Sequence, residues 1–407
     1  MAKKPVKSAG KSGGRALGEL REQVFELPEL PKPPAPVTLG QVLGQERAVD
    51  VLERAIRSRK LHHAWIFEGP FGVGKFTTAM AFAALLLDDT TAEGLSGGIA
   101  ADPDSKTQVM LRAGSHPDLA IINKELARHH SDSKIRDSKQ RAISVDVVRE
   151  FVLEHGGIAG SVAGKDALAA KVFIIDEAEL LNIQAQNALL KFLEEPPSRT
   201  TLILVCNAAE ELLPTIRSRC QRVVFSPLPD KAMQSWLKSA QAGDQEQGIA
   251  PLEVDVAQKK FLLDFAQGSP GALVRCSQTG IGGWWGRIEP MLAQVDQGKH
   301  VVEFGPAMTE LVDSWAKAWV EANENASKEA ANHQAAAWML KMLAWHYSAK
   351  LKRASKDPHS PQTARALESL DAIRAAEWEV DVNVNMIFVF DKLAALLAAG
   401  SGGSAGT

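Results

Sequence analysis

A glycine-rich segment near residue 70 has the residue types and the spacing of a phosphate-binding loop. The run Gly69-Pro-Phe-Gly-Val-Gly-Lys75 matches the pattern GxxxxGK, in which backbone N–H groups surround a phosphate at the start of a helix. Gly72 and Gly74 let the backbone curve around a β-phosphate without a Cβ in the way, and the Lys75 ammonium reaches the β- and γ-phosphate oxygens. The segment therefore predicts nucleotide binding.

The residue after Lys75 departs from this pattern. A hydrolysing loop continues with Ser or Thr, whose hydroxyl binds Mg²⁺, but Phe76 stands there. Thr77 replaces it only if the loop slips by one residue, because one step along a helix turns a side chain by about 100°. Thr77 is thus the only remaining candidate for the missing hydroxyl. We therefore expect weak binding of ATP or ADP, no well-ordered Mg²⁺, and slow or absent hydrolysis.

Two acidic residues further along the chain favour hydrolysis. Asp176 and Glu177 directly follow the apolar run Val172-Phe-Ile-Ile175. At the carboxyl end of a strand, Asp176 would hold hydrated Mg²⁺ and Glu177 would orient an attacking water. Acids after a strand are a weak signal alone, but together with the upstream loop they predict a P-loop ATPase fold.

Helices and strands of the α/β type position these groups. Residues 45–57 place apolar side chains at helical spacing, and a second helix is expected at 76–87, after the loop. The short apolar runs at 64–67, 172–175 and 202–205 have the length of strands buried on both faces. Helical segments separate these runs, so we predict an α/β P-loop domain with a parallel sheet.

The remainder of the chain divides by composition. Residues 1–37 form a basic and Pro-rich arm, and residues 38–226 hold the P-loop domain. A small helical lid is predicted at 227–279, an Ala-rich all-α collar domain at 280–399, and a flexible tail at 400–407.

Two features of these regions have alternative interpretations. The polar stretch at 94–142 is typical of a loop, and its adjacent His129 and His130 have no third ligand at usable spacing, so we assign no metal. Tryptophans at helical offsets in the predicted collar either fill the core of a bundle, which is the simpler interpretation, or mark a subunit interface. They are Trp315, Trp319, Trp338 and Trp345.

Composition narrows the class of protein. The formal net charge of −3 provides no overall positive field, so contact with DNA would need a local patch or partner subunits. The cysteines Cys206, Cys220 and Cys276 have no CxxC pairing, which excludes a disulfide framework and a thiolate zinc cluster. A polar, basic start and the lack of a bilayer-length apolar run predict a soluble, cytoplasmic protein.

Two further motifs resemble those of the clamp-loader branch of the AAA+ ATPases. They are Asn187-Ala-Leu-Leu-Lys-Phe-Leu-Glu-Glu-Pro-Pro197 and Thr215-Ile-Arg-Ser-Arg-Cys220. The segments that resemble the delta prime family in particular are Gly44-Gln45, Leu61-His-His-Ala-Trp-Ile-Phe67, His116-Pro-Asp-Leu119 and Asn383-Val-Asn-Met-Ile387. The resemblance runs from about Thr38 to Ala399 and implies a P-loop domain, a lid and a collar.

The resemblance also implies roles for individual residues. In the family, the arginine of the Ser218-Arg219-Cys220 motif reaches ATP bound by the neighbouring subunit, where a guanidinium offers planar donors to a γ-phosphate. A surface arginine without such a role is the alternative. Asn207 stands where the sensor-1 residue of the family lies, although the family usually has a hydroxyl in this stretch. Arg275 lies in a segment similar to the sensor-2 helix, which would face the nucleotide.

For the whole protein, the resemblance implies the delta prime position in a hetero-pentameric clamp loader of DNA polymerase III. The partners would be the delta and gamma/tau subunits and, indirectly, the sliding clamp and primer-template DNA. We expect a structural stator with little or no ATPase of its own, inside a holoenzyme that is a nucleotidyltransferase. Many relatives carry a four-cysteine zinc module after the P-loop helix, but this chain has no cysteine there, so no zinc is predicted.

Two other classes of function remain as alternatives. An ATP-hydrolysing motor subunit of the gamma/tau kind is favoured by Lys75, Asp176 and Glu177 and opposed by Phe76. An isolated P-loop ATPase of recombination or helicase loading would need neither Arg219 nor a collar.

Overall fold

The structure of the chain is a computed structural model that describes residues 33–94, 97–136, 142–156, 160, 162–243, 251, 252, 254, 258–322, 327–355, 357 and 359–399. The predicted tail at 400–407 and most of the predicted arm at 1–37 lie outside these ranges. As predicted, an α/β region with a parallel sheet comes first, and the described elements that follow it are helices.

A five-stranded sheet lies at the centre of the P-loop domain. Its strands are β1 (Ala64–Glu68), β4 (Leu119–Ile122), β5 (Lys171–Ile175), β6 (Thr200–Cys206) and β7 (Gln221–Val224). They run in the order β4-β5-β6-β1-β7, and each neighbouring pair is parallel. A separate antiparallel pair joins β2 (Ala92–Glu93) to β3 (Ile99–Ala100). Every residue of β1, β5 and β6 is buried, which confirms the three strands predicted from continuous apolar runs.

Helices cover both faces of this sheet. They are α1 (Glu46–Ser58), α2 (Lys75–Leu87), α3 (Lys106–Arg112), α4 (Ser133–Arg136), α5 (Val145–Val148), α6 (Ile183–Glu194) and α7 (Pro214–Arg217). On one face, Trp65 of β1 packs against Phe82 of α2, with ring centroids 5.3 Å apart. On the other face, Phe173 of β5 packs against Phe192 of α6 at 6.0 Å. The predicted helices at 45–57 and 76–87 are α1 and α2.

The prediction that residues 94–142 form a loop is wrong. This stretch contains α3, the edge strand β4 and a 3-10 turn at Lys124–His129. Two helical turns and four strand residues are each too short for hydrophobic periodicity to identify them against polar surroundings. The His130 Nε2 atom lies 3.1 Å from the Glu150 carboxylate. Nowhere in the described ranges do three or more His, Cys, Asp or Glu side chains converge as metal ligands would.

The segment after α2 is organised by hydrogen bonds around Asp88. The buried Asp88 carboxylate accepts from the N–H of Thr90 at 2.9 Å and from the Gln108 amide at 3.0 Å, and the Ser105 hydroxyl donates to it as well. Burial alone would raise the pKa of Asp88, but these hydrogen bonds outweigh burial and lower it. An ionised carboxylate therefore joins the end of α2 to the start of α3.

The remaining helices form the regions predicted as lid and collar. The first three are α8 (Asp230–Ala242), α9 (Lys259–Ala266) and α10 (Pro270–Gln278). They are followed by α11 (Gly282–Val295), α12 (Phe304–Ala322), α13 (Lys328–Ala354), α14 (Pro361–Asp381) and α15 (Met386–Ala399). Among the described residues, no helix has both the length and the apolar content that crossing a bilayer requires.

Aromatic rings fasten the lid helices to the collar helices. Phe261 of α9 stacks on Trp285 of α11 with ring centroids 5.2 Å apart, and its edge meets the ring of Trp345 of α13 at 5.3 Å. The Trp345 Nε1–H also donates to the Asp264 carbonyl at 3.1 Å. Aromatic contacts of this kind add to the free energy gained from apolar burial, so they stabilise the packing of α9 against α11 and α13.

The collar tryptophans mostly fill the core, as the simpler interpretation predicts. Trp315 and Trp338 are buried, and Trp345 is half-buried within the aromatic contacts just described. Trp319 differs, because it stacks on Trp315 at 5.3 Å and is still 38% exposed.

Candidate functional site

A cavity of about 550 Å³ lies where the phosphate-binding loop, the carboxyl ends of β5 and β6, and helix α10 meet. Its volume falls within the range of roughly 300–1,000 Å³ that is typical of small-molecule sites. The predicted site residues that line it are Gly72, Gly74, Lys75, Thr77, Asp176, Glu177, Asn207 and Arg275. One cavity therefore gathers nearly all of the candidates that the sequence indicates for nucleotide binding.

Three glycines give the loop its shape. Gly69, Gly72 and Gly74 have φ values of 149°, 73° and 98°, in the region that favours glycine. At Gly69 a Cβ would also lie 2.3 Å from the Phe225 carbonyl oxygen, so no larger residue fits. Helix α2 then begins at Lys75, with Gly74 at its N-cap, so the N–H groups of its first turn, which have no partner inside the helix, follow the loop directly.

Lys75 is held inside the loop by three acceptors. Its ammonium donates to the carbonyls of Gly69 and Pro70, each at 2.7 Å, and to Asn207 Oδ1 at 3.0 Å. Burial lowers the pKa of the Lys75 ammonium, and the charge of Glu179 partly opposes this. The ammonium therefore lies inside the loop, with Asn207 as its side-chain partner.

Asn207 connects the lysine to an acid that the sequence analysis did not single out. Its Nδ2 atom donates to Glu179 Oε1 at 2.5 Å, while its Oδ1 accepts from Lys75. Burial raises the pKa of Glu179, and the hydrogen bonds from Asn207 partly offset that rise. The run Asp-Glu-Ala-Glu at 176–179 was visible in the sequence, but only the fold shows that its last residue turns back toward β6.

Asp176 and Glu177 lie at the predicted carboxyl end of β5. The pKa of Asp176 is raised to about 6, mainly by burial and also by the charges of Glu177 and Glu179, while the Glu177 N–H and Lys75 oppose the rise. Glu177 has a left-handed φ of 51°, and its Oε2 atom lies 3.1 Å from Lys124 Nζ. Lys124 is a second contact of the site that the sequence analysis missed.

The raised pKa of Asp176 predicts a pH-dependent stability. Because the folded chain binds this proton more tightly than the unfolded chain, Asp176 favours folding below about pH 4 and loses this contribution as the pH rises through about 6. The asparagine of Asp176→Asn cannot ionise, so this variant does not lose that contribution. Its free energy of unfolding minus that of wild type should therefore be about 2 kcal/mol larger at pH 8 than at pH 4. Thermal unfolding at both pH values measures this difference. An equal difference between variant and wild type at pH 4 and pH 8 would contradict the raised pKa of Asp176.

Phe76 occupies the position of the missing hydroxyl. Its side chain is half-buried, packs against the core next to α2 and lines the cavity. Thr77 is exposed and lines the cavity as well, whereas the Thr78 hydroxyl donates to the Gly74 carbonyl at 2.8 Å and is buried. The site thus has a loop, a lysine and acids for a nucleotide, but no hydroxyl at the position after the lysine.

Helix α10 contacts the loop directly. The Gly271 N–H donates to the Gly72 carbonyl at 2.9 Å. The Ser269 hydroxyl caps α10 by accepting from the Ala272 N–H at 3.1 Å, and it donates to the Phe71 carbonyl at 2.6 Å. These bonds satisfy N–H groups at the start of α10 and join the lid to the phosphate-binding loop.

Two side chains strengthen this join. The Arg275 guanidinium lies over the Phe71 ring, 4.2 Å from its centroid, and burial lowers the pKa of Arg275. The buried Gln45 amide donates to the Val73 carbonyl at 3.1 Å and to the Ser226 carbonyl at 2.7 Å. The Gly44-Gln45 motif therefore links the loop to the segment that leads into the lid.

The close approach of two glycines predicts a steric effect. A Cβ at Gly271 would lie 2.6 Å from the Gly72 Cα atom. Gly271→Ala should therefore push α10 off the loop and lower the free energy of unfolding by about 1–3 kcal/mol. Denaturant titration and limited proteolysis of the lid measure this. Gly283→Ala is the matched control, because a Cβ there meets nothing within 4 Å, and equal behaviour of the two variants would contradict the prediction.

The Ser218-Arg219-Cys220 motif lies apart from this cavity. Arg219 is not among the described residues that line the cavity; its side chain is 37% exposed and pairs with Glu194 at 2.8 Å. The Ser218 hydroxyl donates to the Thr215 carbonyl at 3.1 Å. Burial raises the pKa of the Cys220 thiol to about 12, and the half-buried side chain packs against the hydrophobic core.

The cavity has an apolar end that the sequence analysis did not identify. Apolar side chains enclose it, from the segment before α1, from α8 and from the chain between α8 and α9: Val37, Val42, Leu43, Trp236 and Leu252. They are far apart in the chain, and single apolar residues next to Pro and Gly carry no pattern that predicts a shared pocket.

Four features together define a P-loop domain of the AAA+ type: the sheet order, the loop after β1, the acids after β5 and the helical lid. Comparison with known proteins shows which AAA+ proteins the chain resembles. Residues 44–229 match the family described as DNA polymerase III, delta subunit. The chain is similar to DNA polymerase III clamp-loader subunits, and the resemblance to delta prime subunits that its motifs predict is confirmed.

Individual relatives are similar over part of their length. The delta prime subunit of Pseudomonas aeruginosa is 31% identical over 258 residues, which cover 62% of this chain and 65% of that protein. The Escherichia coli delta prime subunit is 29% identical, covering 53% and 55%. The gamma/tau subunit of Mycobacterium tuberculosis is 29% identical, covering 58% and 36%. The chain thus matches less than two thirds of the length of each.

Solved structures are similar only at a general level. The RuvB Holliday junction branch migration motor of Thermotoga maritima aligns with a TM-score of 0.37 and 15% identity, covering 71% of this chain and 80% of that one. A gamma subunit-related protein of DNA polymerase III from the same organism aligns with a TM-score of 0.36 and 18% identity, covering 86% and 99%.

Proposed function

We propose that the chain is the delta prime stator of a clamp loader, which presents Arg219 to ATP on a neighbouring subunit and hydrolyses little or no ATP itself. The observation that carries the proposal is the separation of two parts of an ATPase site. The cavity of this chain lacks the hydroxyl at residue 76, while Arg219 lies outside that cavity on the surface.

The cavity fits a nucleotide better than it fits a nucleotide with magnesium. The loop glycines, Lys75 and the N-terminus of α2 provide a phosphate cradle, and the apolar end suits a base. The Phe76 ring supplies no oxygen for Mg²⁺. ATP or ADP would therefore bind in this cavity without an ordered metal. Asp176 and Glu177 would face the bound nucleotide across the cavity.

Contacts between the three regions support a stator role. Hydrogen bonds join the loop to α10, and aromatic rings join α9 to the collar helices. In such a subunit the lid is fixed to both the P-loop domain and the collar of the same chain. The subunit would therefore transmit force without changing its own shape. The rigid unit would hold the other subunits while they move.

An exposed apolar surface on the collar supports contacts with other subunits. At the corner between α14 and α15, Trp378 is 66% exposed and Phe388 is 69% exposed. Val382, Val384 and Ile387 are exposed beside them. Exposed apolar groups of this size mark protein contacts more often than solvent-facing surface. The proposed partners are the delta and gamma/tau subunits of a cytoplasmic hetero-pentamer, with the sliding clamp and primer-template DNA as indirect partners.

A motor subunit of the gamma/tau kind is the second candidate. Asp176 and Glu177 at the end of β5 and the similarity to gamma/tau proteins favour it. The missing hydroxyl opposes it.

Steady-state ATPase of the purified chain, alone and with DNA, separates the two candidates. The stator predicts turnover at least about 100-fold below that of a motor subunit assayed in parallel, because the metal site is incomplete. Turnover equal to that of the motor would overturn the proposal. Co-purification with delta and tau, with the mass of the complex measured, tests membership of the loader independently of catalysis.

A further inference from the structure

Glu194 ends helix α6 and contacts the proposed finger. Its Oε1 atom lies 2.8 Å from Arg219 Nη2, and Arg219 Nη1 donates to the Thr215 carbonyl at 3.0 Å. These two bonds use two of the five N–H groups of the guanidinium and hold its plane from two sides. Among the described residues, the other three N–H groups have no hydrogen-bond acceptor.

The position of Glu194 is not explained by the stability of its helix. A carboxylate in the last turn lies at the negative end of the helix dipole, where it is unfavourable. The ion pair is also exposed, with 37% of the Arg219 side chain and 53% of the Glu194 side chain accessible. Exposed ion pairs add little to stability. The consequence of this contact is therefore the orientation of Arg219.

The contact also joins two motifs that are far apart in sequence. Glu194 belongs to the motif at 187–197 and Arg219 to the motif at 215–220, and 25 residues separate the two positions. Strand β6 lies between them and brings the end of α6 next to α7. The acidic end of the first motif thus acquires a role that its sequence alone does not reveal.

We infer that Glu194 is the positioning residue of Arg219, and that it holds the open edge of the guanidinium toward the triphosphate of the neighbouring subunit. This inference rests on the proposed function of Arg219. An arginine side chain has large rotamer freedom, and ordering it during assembly costs free energy. A guanidinium that is already oriented meets the phosphate without that loss.

The test uses the reconstituted loader and the phase of ATP hydrolysis that depends on Arg219. Glu194→Ala should slow this phase by about 3- to 10-fold, because the side chain must be ordered anew. Glu194→Gln keeps the acceptor oxygen and should stay within about twofold of wild type. Glu195→Ala is the matched control: this neighbouring carboxylate is exposed and makes no described ion pair, so its loss should leave the phase unchanged.

A double-mutant cycle separates positioning from a general structural effect. In the Arg219→Ala background, Glu194→Ala should have no additional effect, since the group that it positions is gone. Two outcomes would overturn the positioning inference but leave the arginine finger: Arg219→Ala slows hydrolysis while Glu194→Ala does not, or Glu194→Ala still slows hydrolysis in the Arg219→Ala background. If Arg219→Ala itself has no effect, the proposed function fails first.

Discussion

Replacing Arg219 with alanine is expected to slow ATP hydrolysis at the neighbouring site of a reconstituted clamp loader by about 10³-fold. The guanidinium provides permanent charge and planar donors where negative charge develops on the γ-phosphate, and water does not replace these donors at a fixed geometry. Single-turnover hydrolysis with excess loader measures the effect, because the phase contributed by that site should disappear while the other sites continue.

The surroundings of Arg219 make this experiment interpretable. The residue is partly exposed and its ion pair contributes at most about 1 kcal/mol, so the variant should fold and assemble as wild type does. Nearby Arg222 would be a poor control, because it donates to the buried Glu68 carboxylate at 2.7 Å and supports the fold. Arg47, an exposed arginine on α1, is a better one. Full retention of every hydrolysis phase in Arg219→Ala would remove the finger from the account.

The second large effect is expected at Phe76. Phe76→Thr provides a hydroxyl at the start of α2, so MgATP should bind this variant about 10-fold or more tightly than ATP in EDTA. Wild type should bind both forms about equally, because its loop offers the metal no oxygen at this position. Titration calorimetry with and without Mg²⁺ measures the ratio.

Phe76→Ala is the matched control for this comparison. It removes the ring, which packs partly against the core, without adding a ligand, so any change that it shares with Phe76→Thr comes from lost packing. Wild-type binding that already depends strongly on Mg²⁺ would mean that another group, such as Thr77, reaches the metal.

The phosphate-binding loop and the three inner strands of the sheet could be predicted because they depend on strong local signals. Gly69, Gly72 and Gly74 are required by backbone angles that other residues rarely adopt, and β1, β5 and β6 are continuous apolar runs since both faces of the sheet are covered. Positions of this kind carry their own structural reason in the chain, so a single sequence is enough to identify them.

Contacts between distant segments could not be predicted in the same way. Glu179 is an ordinary acid in sequence, and only the return of β6 beside β5 places Asn207 against it. Gly271 has no left-handed angle to mark it, and its importance comes from the approach of the Gly72 backbone. Lys124 follows an edge strand that the sequence analysis took for a loop. These residues depend on tertiary packing, which periodicity does not report.

A structure of the reconstituted loader with a non-hydrolysable ATP analogue tests the central claim most directly. The account predicts the Arg219 guanidinium within hydrogen-bond distance of a γ-phosphate held by the neighbouring subunit, and no ordered metal next to Phe76. An Arg219 that faces solvent, together with a magnesium ion bound by Thr77 in the cavity of this chain, would contradict it and favour the motor.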